Sequence, residues 1–129
     1  MLDIISAVSE RAMTLLATVL VGAVSLLHLY ILVLEMFLWT RPLGMKVFRN
    51  TPEKAQATRV LAANQGLYNG FLAAGLGWGA VAQRVDVMLF FLACVVVAGF
   101  YAAWSVNRRI LFVQALPALV AMAMLLLAS

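Results

Sequence analysis

A single histidine, His28, and a glutamate, Glu35, recur with Ser25, Leu32 and Trp39 at steps of three and four residues. That spacing places the five side chains on one face of a helix. Imidazole and carboxyl are the two side chains most used for acid and base work, and a tyrosine such as Tyr101 or Tyr68 can supply a proton beside them. The candidate catalytic residues are therefore His28, Glu35 and Tyr101. About 10.5 Å of helix rise separates His28 from Glu35, too far for one metal ion to take both unaided. The sequence contains no zinc signature, P-loop, nucleotide fingerprint or nucleophile elbow. Cys94 has no second cysteine, and neither it nor Ser105 has a second histidine to act as base. No metal site is expected.

Further along the chain a second group of polar residues falls among apolar ones: Asn64, Gln65, Tyr68 and Asn69 lie close together, and Tyr101, Ser105 and Arg108 follow at steps of four and three. Gln114 then precedes Pro117, which cannot donate to the carbonyl of Val113 and should bend a helix there.

Elements long enough to carry these groups follow from composition. Of 129 residues, 66% are hydrophobic and 11% charged, against roughly 45–50% and about 25% in globular chains. A soluble monomer of this size has too little interior to hide that surplus. Disorder, a disulfide scaffold and a multi-domain chain are excluded as well, and residues 1–129 read as one domain. A bilayer core of about 30 Å needs ~20 apolar residues as helix. Four stretches meet the need, from about Ala12 to Trp39, Val60 to Val81, Val87 to Val106 and Ile110 to Ala128. The expected fold is all-α, a polytopic bundle of four transmembrane helices. The first stretch begins with Asp3 and Glu10 instead of a basic region, which argues against a cleaved signal peptide.

The nine Lys and Arg against five Asp and Glu have a membrane explanation that makes a nucleic-acid partner unnecessary. Arg41, Lys46, Arg49, Lys54 and Arg59 follow the first stretch, and Arg108 and Arg109 follow the third. Basic loops stay in the cytoplasm, so loops 40–58 and 107–109 should be cytoplasmic and both termini external. Thr51, Pro52 and Glu53 form a helix start, Asp86 is expected to cap the third helix, and Gly75, Gly77 and Gly79 to loosen the end of the second.

In this frame Glu35, Asn64, Gln65, Tyr101, Ser105 and Gln114 come to nearly one depth near the cytoplasmic face, with His28 and Asn69 deeper. The expected ligand-binding set is these residues together with Tyr68, and with Arg59 and Arg108 at the rim. Its alternative is interhelical hydrogen bonding with no ligand at all. Ala62, Gly66, Gly70 and Ala74 form a small-residue ladder for close helix packing. Four helices enclose little volume, so a homo-oligomer is expected.

The motifs His28-Leu29-Tyr30-Ile31, Glu35-Met36-Phe37-Leu38-Trp39 and Leu61 to Gly70 resemble a bacterial membrane-protein family, domain of unknown function 1304, over essentially the whole chain. The resemblance implies four membrane helices, a bacterial inner membrane and no established activity. Over Arg59 to Phe71 the chain is also similar to the membrane-associated eicosanoid and glutathione metabolism (MAPEG) family, which implies a trimer and glutathione as cofactor. Arg59, Gln65 and Phe71 match that motif. Ala62, Gly66 and Asn69 depart from it, which removes much of what would hold glutathione.

Three functions follow as expectations. The first is binding or handling of a small amphiphile or anion in a cytosol-facing intramembrane pocket, with the cofactor unknown. The second is a MAPEG-like enzyme acting on lipophiles with a thiol cofactor. The third is an oligomeric proton-coupled transporter of small solutes using His28 and Glu35.

Overall fold

The structure, a computed structural model, describes residues 1–128 and holds helices and turns with no strand among them. α1 covers Leu2–Met36, α2 Pro42–Phe48, α3 Pro52–Val81, α4 Val85–Ser105 and α5 Leu116–Ala128, the last preceded by a π-helical turn over Leu111–Ala115. α1 therefore starts ten residues earlier than its apolar stretch, because nothing between Leu2 and Ala12 breaks a helix. It stops at Met36 and not at Trp39, since Arg41 before Pro42 is held extended at φ −92°, ψ 160°.

The first basic loop contains a helix, α2, that hydropathy does not reveal. Pro42 opens it, where the missing N–H costs nothing. Arg49 closes it in the left-handed conformation, φ 54°, and the Asn50 N–H reaches the Met45 carbonyl at 2.9 Å. The expected start of α3 is found: the Lys54 N–H donates to the Thr51 hydroxyl at 3.2 Å, and Pro52 is the first helical residue.

Two compact units divide the chain, residues 26–74 and residues 1–25 with 75 onward. In the first, the end of α1 and the start of α3 run antiparallel, joined through α2. A Cβ on Gly66 would stand 2.6 Å from Met36 Cγ and 3.2 Å from the Leu32 carbonyl. One on Gly44 would run into the Leu38 carbonyl. These glycines let two backbones approach as no larger residue would.

In the second unit the start of α1, the end of α3, α4 and α5 bury Val21, Leu76, Met88, Leu92, Val95 and Leu125. Gly75 and Gly79 do not loosen α3, which runs unbroken to Val81. Instead a side chain on Gly75 would collide with the Phe91 ring, and one on Gly79 would stand 2.8 Å from Met88 Cγ. Asp86 is not the cap of α4 either. Arg84 holds that position, without a side-chain bond, and Asp86 grips the Arg84 guanidinium at 2.7 Å, pushing its pKa up mainly through that hydrogen bond.

The bend expected at Pro117 takes the form of the π turn. The Leu116 N–H reaches back five residues to the Leu111 carbonyl, so the helix widens just before the residue that lacks a donor.

By length and composition three helices suffice to cross a membrane: α1, α4 and Leu111–Ala128. α3 is long enough at 30 residues, yet Asn64, Gln65, Asn69 and its glycines lower its apolar character below theirs. Leu15, Val19, Phe90, Val97, Phe100 and Leu127 are all exposed. So large an outward apolar surface suits lipid and not water.

Candidate functional site

Glu35 sits in the last turn of α1, with only 7% of its surface accessible. Its neighbours across the helix pair are the backbone of Gly66, which carries no side chain to displace it, and Asn69 one turn further on. The Asn69 amide nitrogen donates to Glu35 Oε2 at 2.8 Å and to the Gln65 carbonyl of its own helix at 3.2 Å. Both amide hydrogens are thereby used. Glu35 Oε1 has no hydrogen-bond partner among the described residues, and it is not sealed from the surface.

Just past the end of α1, the Trp39 indole N–H donates to the Thr58 hydroxyl at 3.1 Å, and the Thr58 hydroxyl donates in turn to the Lys54 carbonyl at 2.7 Å. The Phe48 ring of α2 packs on Trp39 with ring centroids 4.7 Å apart. A buried carboxyl group, an amide and an aromatic pair thus share one stretch of the α1–α3 contact. Thr58 was missing from the sequence-derived set, although its position four residues before Ala62 continues the small-residue ladder toward the helix start.

His28 is fully buried, two turns deeper along α1 than Glu35. The other expected site residues of this unit do not join them. Asn64, Gln65, Tyr68 and Arg59 are exposed, and Tyr68 instead sets its ring against Phe71 at 6.0 Å. The reason is rotation: Asn64 and Asn69 differ by five residues, about 140° around a helix, so only one of them can face α1. The ladder divides likewise. Ala62 and Gly66 are buried and Gly70 is half-buried, but Ala74 is exposed. Each four-residue step overshoots a turn by about 40°, and three steps carry Ala74 off the packed face.

In the second unit Tyr101 and Ser105 are exposed, as is Arg108 in the following turn, while Gln114 is half-buried within the π turn. The Ser105 hydroxyl is spent on the Tyr101 carbonyl of its own helix at 2.8 Å, and the Tyr101 ring meets Trp104 at 5.9 Å. Asn107, which sequence reasoning passed over, accepts the Arg109 N–H at 2.9 Å and shapes that turn. No group of three or more His, Cys, Asp or Glu among the described residues is placed to hold a metal ion. Cys94 is a half-buried free thiol.

Comparison with known proteins adds a family. Residues 22–126 match the family described as "Protein of unknown function (DUF1304)". The chain is 27% identical over 106 residues to the uncharacterized protein YpaA of Lactococcus lactis subsp. lactis (strain IL1403), covering 79% of this chain and 89% of that one. No solved structure matches.

Proposed function

The chain belongs to the DUF1304 family, whose description states no activity, and from its own geometry we propose a membrane protein that binds and handles a small amphiphile at Glu35 and Asn69. In this reading α3 is a fourth span beside α1, α4 and α5. The basic segments around α2 and after α4 face the cytoplasm, both termini lie outside, and the membrane is the bacterial inner membrane. Glu35 then sits near the cytoplasmic surface, one residue before the end of α1 at Met36.

The observation that carries the proposal is the division of labour at Glu35. One carboxyl oxygen is held by Asn69, which orients the group, and the other is left for a further donor. Burying a carboxyl group beneath an apolar surface is costly unless it is satisfied. A ligand with a hydrogen-bond donor in its head group and an apolar tail beside Trp39 and Phe48 would meet that need. Glu35 favours such a donor over an anion. The thiol-cofactor reading gains no support, since Asn69, one of its departures from the MAPEG motif, is committed to Glu35.

Native mass spectrometry of gently solubilised protein tests the proposal. Wild-type protein should carry a small molecule that Glu35→Ala and Asn69→Leu lose, while Asn64→Ala keeps it. Equal ligand loading in all four proteins, with only stability changed, would overturn the reading and leave the pair as interhelical glue.

A further inference from the structure

The face of α3 turned away from α1 is spaced for a second helix. Ala57, Asn64 and Phe71 stand seven residues apart, and Val60, Leu67 and Ala74 follow each of them by three. All six are exposed, with Val60 at 71% and Phe71 at 56%. Alternating steps of three and four over 18 residues trace one stripe of the helix, which can serve as a coiled-coil seam with Ala57, Asn64 and Phe71 as one set of knobs and the other three as the second. The opposite face of the same helix is already occupied, for Gly66 and Gly70 take up α1 within the chain.

We infer that α3 pairs through this seam with α3 of a second copy of the chain. Shared orientation in the membrane and hydrogen-bonding complementarity select that occupant. Copies inserted in one membrane share an orientation, so a symmetric pair of α3 helices runs parallel and brings Asn64 opposite Asn64. The match is complementary in hydrogen bonding: each amide carries donors and an acceptor, and the Asn64 side chain makes no hydrogen bond among the described residues. A single Asn at such a seam position sets register and partner number, and amides between helices hold them together in lipid. Tyr68 and Gln65 flank the seam and are exposed too, so the residues that do not reach Glu35 gain a role at this contact.

Cysteine cross-linking in native membranes tests this. In a Cys94→Ser background, single cysteines replacing Val60, Leu67 or Phe71 should form a covalent dimer under mild oxidation, and cysteines replacing the exposed Phe90 and Val97 of α4 should not. Separately, Asn64→Leu should weaken self-association about 3- to 30-fold in detergent dilution followed by energy transfer, and Asn64→Gln should restore part of it. Unchanged thermal unfolding of the Asn64→Leu monomer would show that its fold persists. Cross-links as strong through α4 as through α3, a chain monomeric throughout, or Asn64→Leu associating as tightly as wild type would each overturn the inference. The outcome is separable from the Glu35 proposal, because an Asn64 variant should dissociate and still retain the small molecule.

Discussion

Asn69 and Glu35 are 34 residues apart in sequence, and the Asn69 amide donates to the Glu35 carboxyl oxygen at 2.8 Å. The bond lies beside the point where Gly66 presents bare backbone to Glu35 Cβ, and it ties this stretch of α1 to α3 at one register. Trp39 and Thr58 repeat the pattern nearer the loop, 19 residues apart and 3.1 Å between donor and acceptor. Two side-chain bonds thus pin a hairpin that small-residue packing alone would leave free to slide.

Removing both members of the first pair should cost less than the two single removals added together. Glu35→Leu or Asn69→Leu strands a polar group and should lower stability by about 1–3 kcal/mol, whereas the double variant should lose less than the sum of the two. Reversible unfolding in mixed detergent micelles measures the cycle, and strict additivity would show that the two groups are not coupled.

Glycines in the chain should respond in opposite directions. Gly66→Val drives new atoms into Met36, Glu35 and the Leu32 carbonyl, and overpacking of this kind costs about 1–3 kcal/mol. An added Cβ at Gly22 meets nothing within 4 Å, so Gly22→Ala should raise stability by about 0.5–1 kcal/mol through helix propensity. Melting temperatures of the two variants on either side of wild type are the expected result.

Trp39→Phe keeps a ring against Phe48 and loses the donor to Thr58. A cost of about 0.5–1.5 kcal/mol is expected. Thr58→Val should cost a similar amount, and the pair together little more than either. Trp39→Phe should also weaken retention of the small molecule less than Glu35→Ala does, when both are measured by native mass spectrometry.

Orientation is open to direct labelling. With Cys94 replaced by serine, cysteines at Ser6 and Lys46 should react with a membrane-impermeant maleimide from opposite sides of the membrane, Ser6→Cys in intact cells and Lys46→Cys only after lysis. Both reacting from one side would overturn the placement of α1 as a span.

Class was written in composition: the apolar excess gives helices long and apolar enough to cross a membrane, and the sequence alone located α4 and the stretch Leu111–Ala128 to within two residues. The start of α3 at Thr51 and Pro52 was equally plain, since a cap and a proline act through bonds within one turn. Even Pro117 announced a distortion, although not its form, a π turn whose Ala115 Cβ lies 2.9 Å from where a Cβ on Gly99 would stand.

What the sequence by itself determined is therefore much of what local spacing governs: the long helices, the start of α3, and the fact that Glu35 and a cluster of amides had to be placed somewhere. Only tertiary structure decided that Asn69, and not Asn64, meets Glu35. Neighbouring residues of one helix look equally polar in a string of letters, but they differ by about 100° per residue in direction, and which direction faces α1 is chosen by where Gly66 lets the two backbones touch. That choice turns Asn69 inward to the carboxyl group and leaves Asn64 outward on an exposed seam.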